Sequence, residues 1–314
     1  MSTAGLAILA PSPVLTVTVE MGDDQGDETH FHAGGQGIWV ARMAGALGGE
    51  VVLCVALAGE AGVVLDTLLR SPGVELRSVR AHGRSGSYIH DRRQGERVAV
   101  AATTGPRLLR HETDELYGIM LSAALDARVA MLTGPQPPDA LAADFYRHLA
   151  ADLRANGVIV IADVTDGALA GALAGGLDLL KISHDELIDE GLAVKPDRES
   201  LFAGMRELRR RGARTVLVSR AIEPALVMLD DRFYEIVGPR FEPRDPSGAG
   251  DSMFAAIGVA MARGANPIDA IRLGAAAGAL NVTRRGLGSG HRSEIERLVS
   301  RVDAIEVRDQ PAAW

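Results

Sequence analysis

Lysine, cysteine and aromatic side chains are all scarce in this chain. Lys181 and Lys195 are the only lysines among 33 basic residues, so arginine carries nearly all the positive charge. Acids outnumber bases, and a formal net charge of −8 offers a polyanion no general attraction, which argues against nucleic acid as a partner. Cys54, within the apolar run Val51–Leu57, is the single cysteine, so no disulfide can form within the chain and a buried thiol is expected. No uninterrupted apolar run approaches the roughly 20 residues of a membrane span, and the N-terminus lacks a basic region followed by a hydrophobic core. A cytoplasmic protein with no membrane partner is the expectation. Aromatics make up 4% of residues, which leaves Ala, Val, Leu and Ile to fill the core.

Apolar residues are otherwise plentiful, at 47% against 24% charged, and 314 residues suffice for one large α/β domain spanning 1–314. The organising stretch is Arg244-Asp245-Pro246-Ser247-Gly248-Ala249-Gly250-Asp251-Ser252, which runs straight into the apolar segment 253–262. A glycine-rich turn feeding a helix leaves backbone N–H groups facing outward at the positive end of the helix dipole, a site suited to a phosphate. A carboxylate beside such a cradle repels its ligand and needs another task. Asp251 is a candidate to take a proton from an attacking hydroxyl, and it could equally begin the helix as a cap.

The rest of the chain alternates strand and helix. Residues 6–20 read as one strand, buried and then half-exposed, and 21–30 as a solvated turn. His30 and His32 flank Phe31, but no cysteine or well-placed acid completes a metal set. Gly34-Gly35-Gln36-Gly37 opens a helix that ends at Gly48-Gly49, and the 51–57 strand and a second helix through Arg70 follow. This cluster lacks both the Lys-Ser/Thr of a P-loop and the third glycine of a dinucleotide fingerprint, which disfavours a nicotinamide enzyme. Short pieces at 76–79, 87–90 and 98–102 suggest an antiparallel flap pairing with 14–20, giving a lid of about 12–33 and 74–104. Helices near 113–126 and 139–154 alternate with buried strands at 129–132, 158–161, 177–182 and 215–218, the pattern of a mostly parallel sheet. Residues 225–229 and 233–237 read as a hairpin at the sheet's edge, and Asn266-Pro267 caps a last long helix.

Three stretches in this order, Gly-Gly-x-Gly at 34–37, Lys181-x-x-x-x-Glu186 and Gly248-Ala249-Gly250-Asp251, resemble the ribokinase-like (PfkB) carbohydrate kinases over about residues 6–290. The similarity is closest to the 1-phosphofructokinase and tagatose-6-phosphate kinase branch. It implies a ribokinase-like three-layer α/β/α fold with a mostly parallel sheet and a small antiparallel lid. The implied reaction is transfer of the γ-phosphoryl group of ATP, with Mg²⁺ held largely through water, to a hydroxyl of a sugar-like molecule. On the family pattern Asp251 is the base, and the backbone of Gly248, Ala249 and Gly250 is the anion hole. The nucleotide side falls to Lys181, Ser183, Glu186, Ser219, Ser247 and Asn281, with Glu186 acting near the metal. The acceptor side falls to Thr16, Gly34, Gly35, Gln36, Trp39, Arg84 and Tyr88. Relatives of this kind dimerise through the lid, which implies a homodimer through about 14–20 and 84–102.

The departures from that pattern concern ligand choice. The family's sugar-binding Asp is Thr16, its Gly-Gly-Lys-Gly lysine is Gln36, and its sugar-binding Asn is Trp39. The flap arginine has its nearest counterpart in Arg84, and Lys-Pro-Asn reads Lys181-Ile182-Ser183. Ser-x-Gly-x-x-Gly reads Ser219-Arg220-Ala221-Ile222-Glu223-Pro224, with both glycines replaced. Two functions follow: a kinase with altered acceptor choice, or a catalytically weak relative that binds a ligand and regulates.

Overall fold

Pro11 and Pro13 cut the first apolar stretch in two, since neither ring can donate a ladder hydrogen bond. The expected single strand over 6–20 is therefore two, β1 (Gly5–Ala10) and β2 (Val14–Met21), and they join different sheets. The computed structural model describes residues 5–308 except 24–25, 72, 243, 245–246, 285–287 and 289. After β2 come β3 (Asp27–Gly34), α1 (Gln36–Ala46), β4 (Glu50–Ala58), α2 (Gly59–Leu69), β5 (Val74–Ala81), β6 (Gly86–Asp91) and β7 (Val98–Thr103). The middle of the chain gives α3 (Arg110–Asp126), β8 (Val129–Thr133), α4 (Ala143–Ala155), β9 (Ile159–Asp163), α5 (Asp166–Gly175) and β10 (Leu177–Ser183). Then follow α6 (His184–Asp189), α7 (Arg198–Arg211), β11 (Ala213–Arg220), β12 (Glu223–Leu229) and β13 (Arg232–Val237). The last elements are α8 (Ala249–Ala262), α9 (Pro267–Asn281), α10 (Arg292–Val299) and β14 (Asp303–Val307).

The main sheet has the order β14-β13-β12-β11-β10-β9-β8-β1-β4-β5. Every pair from β11 to β5 is parallel, and β12, β13 and β14 extend it antiparallel. Strands covered on both faces must be apolar on both. In β1, Leu6, Ile8 and Ala10 enter one core with α1, α8 and α9, whereas Ala7 and Leu9 enter the other with α3, α4, α5 and α7. That is the expected three-layer α/β/α arrangement. Cys54 is fully buried as a free thiol. Among the described residues no helix is long and apolar enough to cross a membrane.

A second, small sheet has the order β3-β2-β6-β7. Its two hairpins, β2–β3 and β6–β7, are antiparallel, and a parallel pairing of β2 with β6 joins them. Residues 74–81 were expected in this lid, but as β5 they pair parallel with β4 at the edge of the main sheet. The polar alternation that suggested a flap there reflects an edge position with one solvated side. The last four residues of the expected 21–30 turn are instead the start of β3, whose Asp27, Glu28 and Thr29 are exposed because the lid stands off the core. The 225–237 hairpin is not the sheet's edge either, because β14 pairs with β13 beyond it.

Candidate active site

The parallel strands all point one way, so the loops after β1, β8, β9, β10 and β11 gather at one rim together with the N-termini of α1 and α8. At that rim Gly248 is the N-cap of α8 with φ 75°, a left-handed conformation that glycine adopts without steric cost. Ala249, Gly250 and Asp251 fill the first helical turn, where N–H groups have no acceptor within the helix and face the positive end of its dipole. Ser252 is the first residue whose N–H donates back, to Gly248 O at 2.9 Å. A methyl group on Gly250 would lie 2.9 Å from Lys181 Nζ, so the missing side chain is what lets that ammonium approach the turn. Asp245 and Pro246, at the start of the organising stretch, lie outside the described residues.

Lys181 Nζ donates to Asp163 Oδ2 at 2.7 Å, and both side chains are buried. Burial alone would lower the Lys181 pKa, but Asp163 overrides it and holds the ammonium above its ordinary value. Asp163 went unmarked in the sequence reading, although the signal is there: it is an acid closing the otherwise apolar strand β9. Glu186 is third in α6 and forms a capping box, its Oε2 accepting from Ser183 N–H at 2.7 Å while Ser183 Oγ accepts from Glu186 N–H at 3.2 Å. The Asp251 carboxyl is pushed up to about 7 by burial first, then by Asp163 and Glu186, with Lys181 opposing. Three acids thus surround one base at the start of α8. Among the described residues no group of three or more His, Cys, Asp or Glu side chains is arranged to hold a metal ion directly.

Of the residues expected at the nucleotide, Ser219 is next to last in β11, in register with Ser183 of β10. His184 Nδ1 lies 3.4 Å from Ser219 O. The turn after Ser219 keeps a left-handed residue at the position of the missing glycine, with Ala221 at φ 44°. Asn281 is buried at the end of α9, where its Nδ2 donates to Ser247 O at 2.8 Å and its Oδ1 accepts from Ser252 Oγ at 3.0 Å. Both ends of that amide are therefore engaged with the loop before α8 and with α8 itself.

Of the residues expected at the acceptor, Gly35 caps α1, and a cleft lies between Ser12-Pro13, Gly35-Gln36-Gly37 and Thr133-Gly134. The Gln36 carboxamide bridges the ends of β8 and β9: its Oε1 accepts from Gly134 N–H and its Nε2 donates to Asp163 O, each at 3.2 Å. In the lid, Thr16 stands between His32 and Tyr88 on adjoining strands, so all three share one face. A methyl on Gly34 would lie 3.1 Å from Thr16 Oγ1 and 3.6 Å from Trp39 Cζ2, which brings Thr16, Gly34 and Trp39 together. Arg84 is exposed in the turn between β5 and β6, its backbone against Gly59 at the start of α2.

Comparison with known proteins gives the family of the chain. The model of the pfkB family of carbohydrate kinases matches residues 14–294. The ATP-dependent 6-phosphofructokinase isozyme 2 of Mycobacterium tuberculosis is 30% identical over 288 residues, covering 90% of this chain and 84% of the relative. The tagatose-6-phosphate kinase of Staphylococcus epidermidis is 22% identical over 283 residues, covering 89% of this chain and 91% of its own. Among solved structures, phosphofructokinase-2 of Escherichia coli superposes with a TM-score of 0.81 at 23% identity, covering 94% of this chain and 98% of that one. The chain belongs to the pfkB family of carbohydrate kinases, whose reaction is the ATP-dependent phosphorylation of a sugar.

Proposed function

We propose that Asp251 is the general base of the phosphoryl transfer and that the first turn of α8 is its anion hole. The observation that carries this reading is a carboxyl group at the third position of a glycine-started helix, with a buried Lys181–Asp163 pair against the same turn. The acceptor oxygen attacks the γ-phosphorus of ATP, its proton passes to Asp251, and the bond to the β–γ bridging oxygen breaks to release ADP. The N–H groups of Ala249 and Gly250, entered through Gly248, stabilise the charge that gathers on the moving phosphoryl oxygens. Lys181 adds a fixed positive charge beside the turn, and Asp163 holds it in place. The excess of acids around Lys181 suits a divalent cation, and Mg²⁺ would be held largely through water near Glu186, whose Oε2 is committed to Ser183; it would neutralise the ATP phosphates. Ser183, Ser219 and Ser247 border the nucleotide.

The acceptor is a sugar or a sugar-like alcohol bound by Thr16, Gly34, Gly35, Trp39, Arg84 and Tyr88, with Gln36 supporting the site through its bonds to Gly134 and Asp163. A hydroxyl at Thr16 and an indole at Trp39 replace the charged and amide groups that the family resemblance leads one to expect, and Gln36 is tied to backbone. A site built this way selects different hydroxyls from those its relatives select. The test is ADP release with the wild type across a panel of sugars, sugar phosphates and nucleosides, repeated with Asp251→Asn. Turnover with one acceptor that vanishes in the variant, while Mg²⁺–ATP still binds by calorimetry, supports the reading. Retained turnover removes Asp251 from it.

A further inference from the structure

The loop that delivers Asp251 is tied to the end of α9 at three points. Arg244 N–H donates to Val282 O at 2.8 Å, Asn281 Nδ2 donates to Ser247 O at 2.8 Å, and Ser252 Oγ donates to Asn281 Oδ1 at 3.0 Å. Asn281 and Ser252 are 1% and 0% exposed, so water does not compete for the bond between them, while the other two ties reach the exposed residues Ser247 and Arg244. The helix behind them is shaped for close approach. A methyl on Gly278 would lie 3.0 Å from Ala249 O, and one on Gly274 would lie 2.9 Å from Met253 O and 2.7 Å from Ile257 Cγ1. Gly274, Gly278 and Asn281 recur at helical spacing on one face of α9, which meets the backbone of the first turns of α8.

We propose that Asn281 is a positioning residue for the phosphoryl cradle: its amide fixes Ser247 before the cradle and Ser252 after it, and so sets where Gly248–Asp251 stand. Asn281 was expected to touch the nucleotide, but both ends of its amide act on the protein. The inference rests on the reading of this turn as the cradle. A primary amide is the group the place requires, because one side must donate to a carbonyl and the other accept from a hydroxyl.

Hydrogen exchange on the full-length chain, with peptides covering 247–254, tests it together with kinetics using fructose 6-phosphate as the probe acceptor. In Asn281→Ala, exchange in 247–254 rises about tenfold while peptides of β8 and α4 keep their protection. The kcat falls on the order of tenfold to a hundredfold, since small displacements of reacting groups are amplified in rate, while the KM for ATP stays within about twofold. Ser252→Ala, which removes one of the two side-chain bonds, gives the same pattern at smaller amplitude. Asn281→Asp keeps the acceptor for Ser252 and loses the donor to Ser247, so it falls between wild type and alanine. Leu149→Ala, on the buried face of α4, serves as the comparison for a purely structural loss. The proposal is overturned if exchange in 247–254 is unchanged in Asn281→Ala, or rises only in step with the whole molecule as in Leu149→Ala. The exchange result decides the clamp whether or not fructose 6-phosphate is phosphorylated, and retained turnover in Asp251→Asn would count against the base, not against the clamp.

Discussion

Lys181 and Asp163 form an ion pair of 2.7 Å whose two side chains are both buried, one strand apart at the rim of the sheet. Desolvation makes such a pair a weak source of net stability, but it makes the loss of either partner severe. Lys181→Met should therefore lower the unfolding free energy by about 3–5 kcal/mol, because Asp163 is left buried without its partner. Lys181→Met combined with Asp163→Leu should recover most of that stability without restoring turnover. Urea denaturation of the wild type and the two variants checks it. Equal stability of the single and double variants would mean that the pair is not the cause.

The raised pKa of Asp251 fixes the sign of two pH effects. As a base it must be ionised, so kcat/KM should fall as pH drops through about 7, the value set by burial and by Asp163 and Glu186. Stability runs the other way. The folded-state pKa lies above the unfolded carboxylate value, so the protonated group favours the fold at low pH, and that contribution is lost as pH rises through 7. Asp251→Asn should then melt a few degrees higher than wild type at pH 8 and no higher near pH 4, while being inactive at both. Melting curves across that range decide it, and a variant less stable at pH 8 contradicts the assignment.

How far these features could be read from the sequence differs from residue to residue. Gly248 and Asp251 were legible because a glycine turn running into an apolar helix is a local pattern, and local patterns survive folding. Asp163 was not, since its meaning comes from Lys181 on the next strand, 18 positions away. Strand alternation gave both cores, yet β5 and β3 were misplaced because an edge strand and a standing lid hairpin show the same mixed polarity in one dimension. Asn281 and Gln36 could be counted as ligand residues from position alone. Only their partners, Ser247 and Ser252 for one and Gly134 and Asp163 for the other, show that their amides face protein.

Ala221 holds a left-handed φ of 44° where a side chain is disfavoured by about 1–2 kcal/mol. The turn has thus kept the shape a glycine would give it. Ala221→Gly should relieve the strain and raise stability by up to about 1 kcal/mol, since the greater freedom of the unfolded chain offsets part of the gain. In the proposed nucleotide site it should also lower the KM for ATP, because a glycine lets the backbone of this turn come closer to the ligand. A joint measurement of melting temperature and ATP KM tests both halves. A rise in KM would show that the methyl contacts the nucleotide favourably.

The outer strand of the lid, β7, is exposed along its whole length, with Val98 and Val100 at 58% and 63% exposure and no charge between Val98 and Thr103. Natural edge strands are guarded by lysines, prolines or bulges, and an unguarded apolar edge pairs with another chain. The bulge between β6 and β7 lies inside the sheet and leaves this edge open. Two lids meeting at this edge would cover the valines and would also place a second copy of the chain near Thr16 and Tyr88, which lie on the two neighbouring strands. The wild type should therefore sediment as a dimer at micromolar concentration and the Val98→Asp, Val100→Asp variant as a monomer, with the variant's melting temperature little changed because both side chains are exposed. If the wild type sediments as a monomer, the lid edge is guarded by other means and this association does not occur.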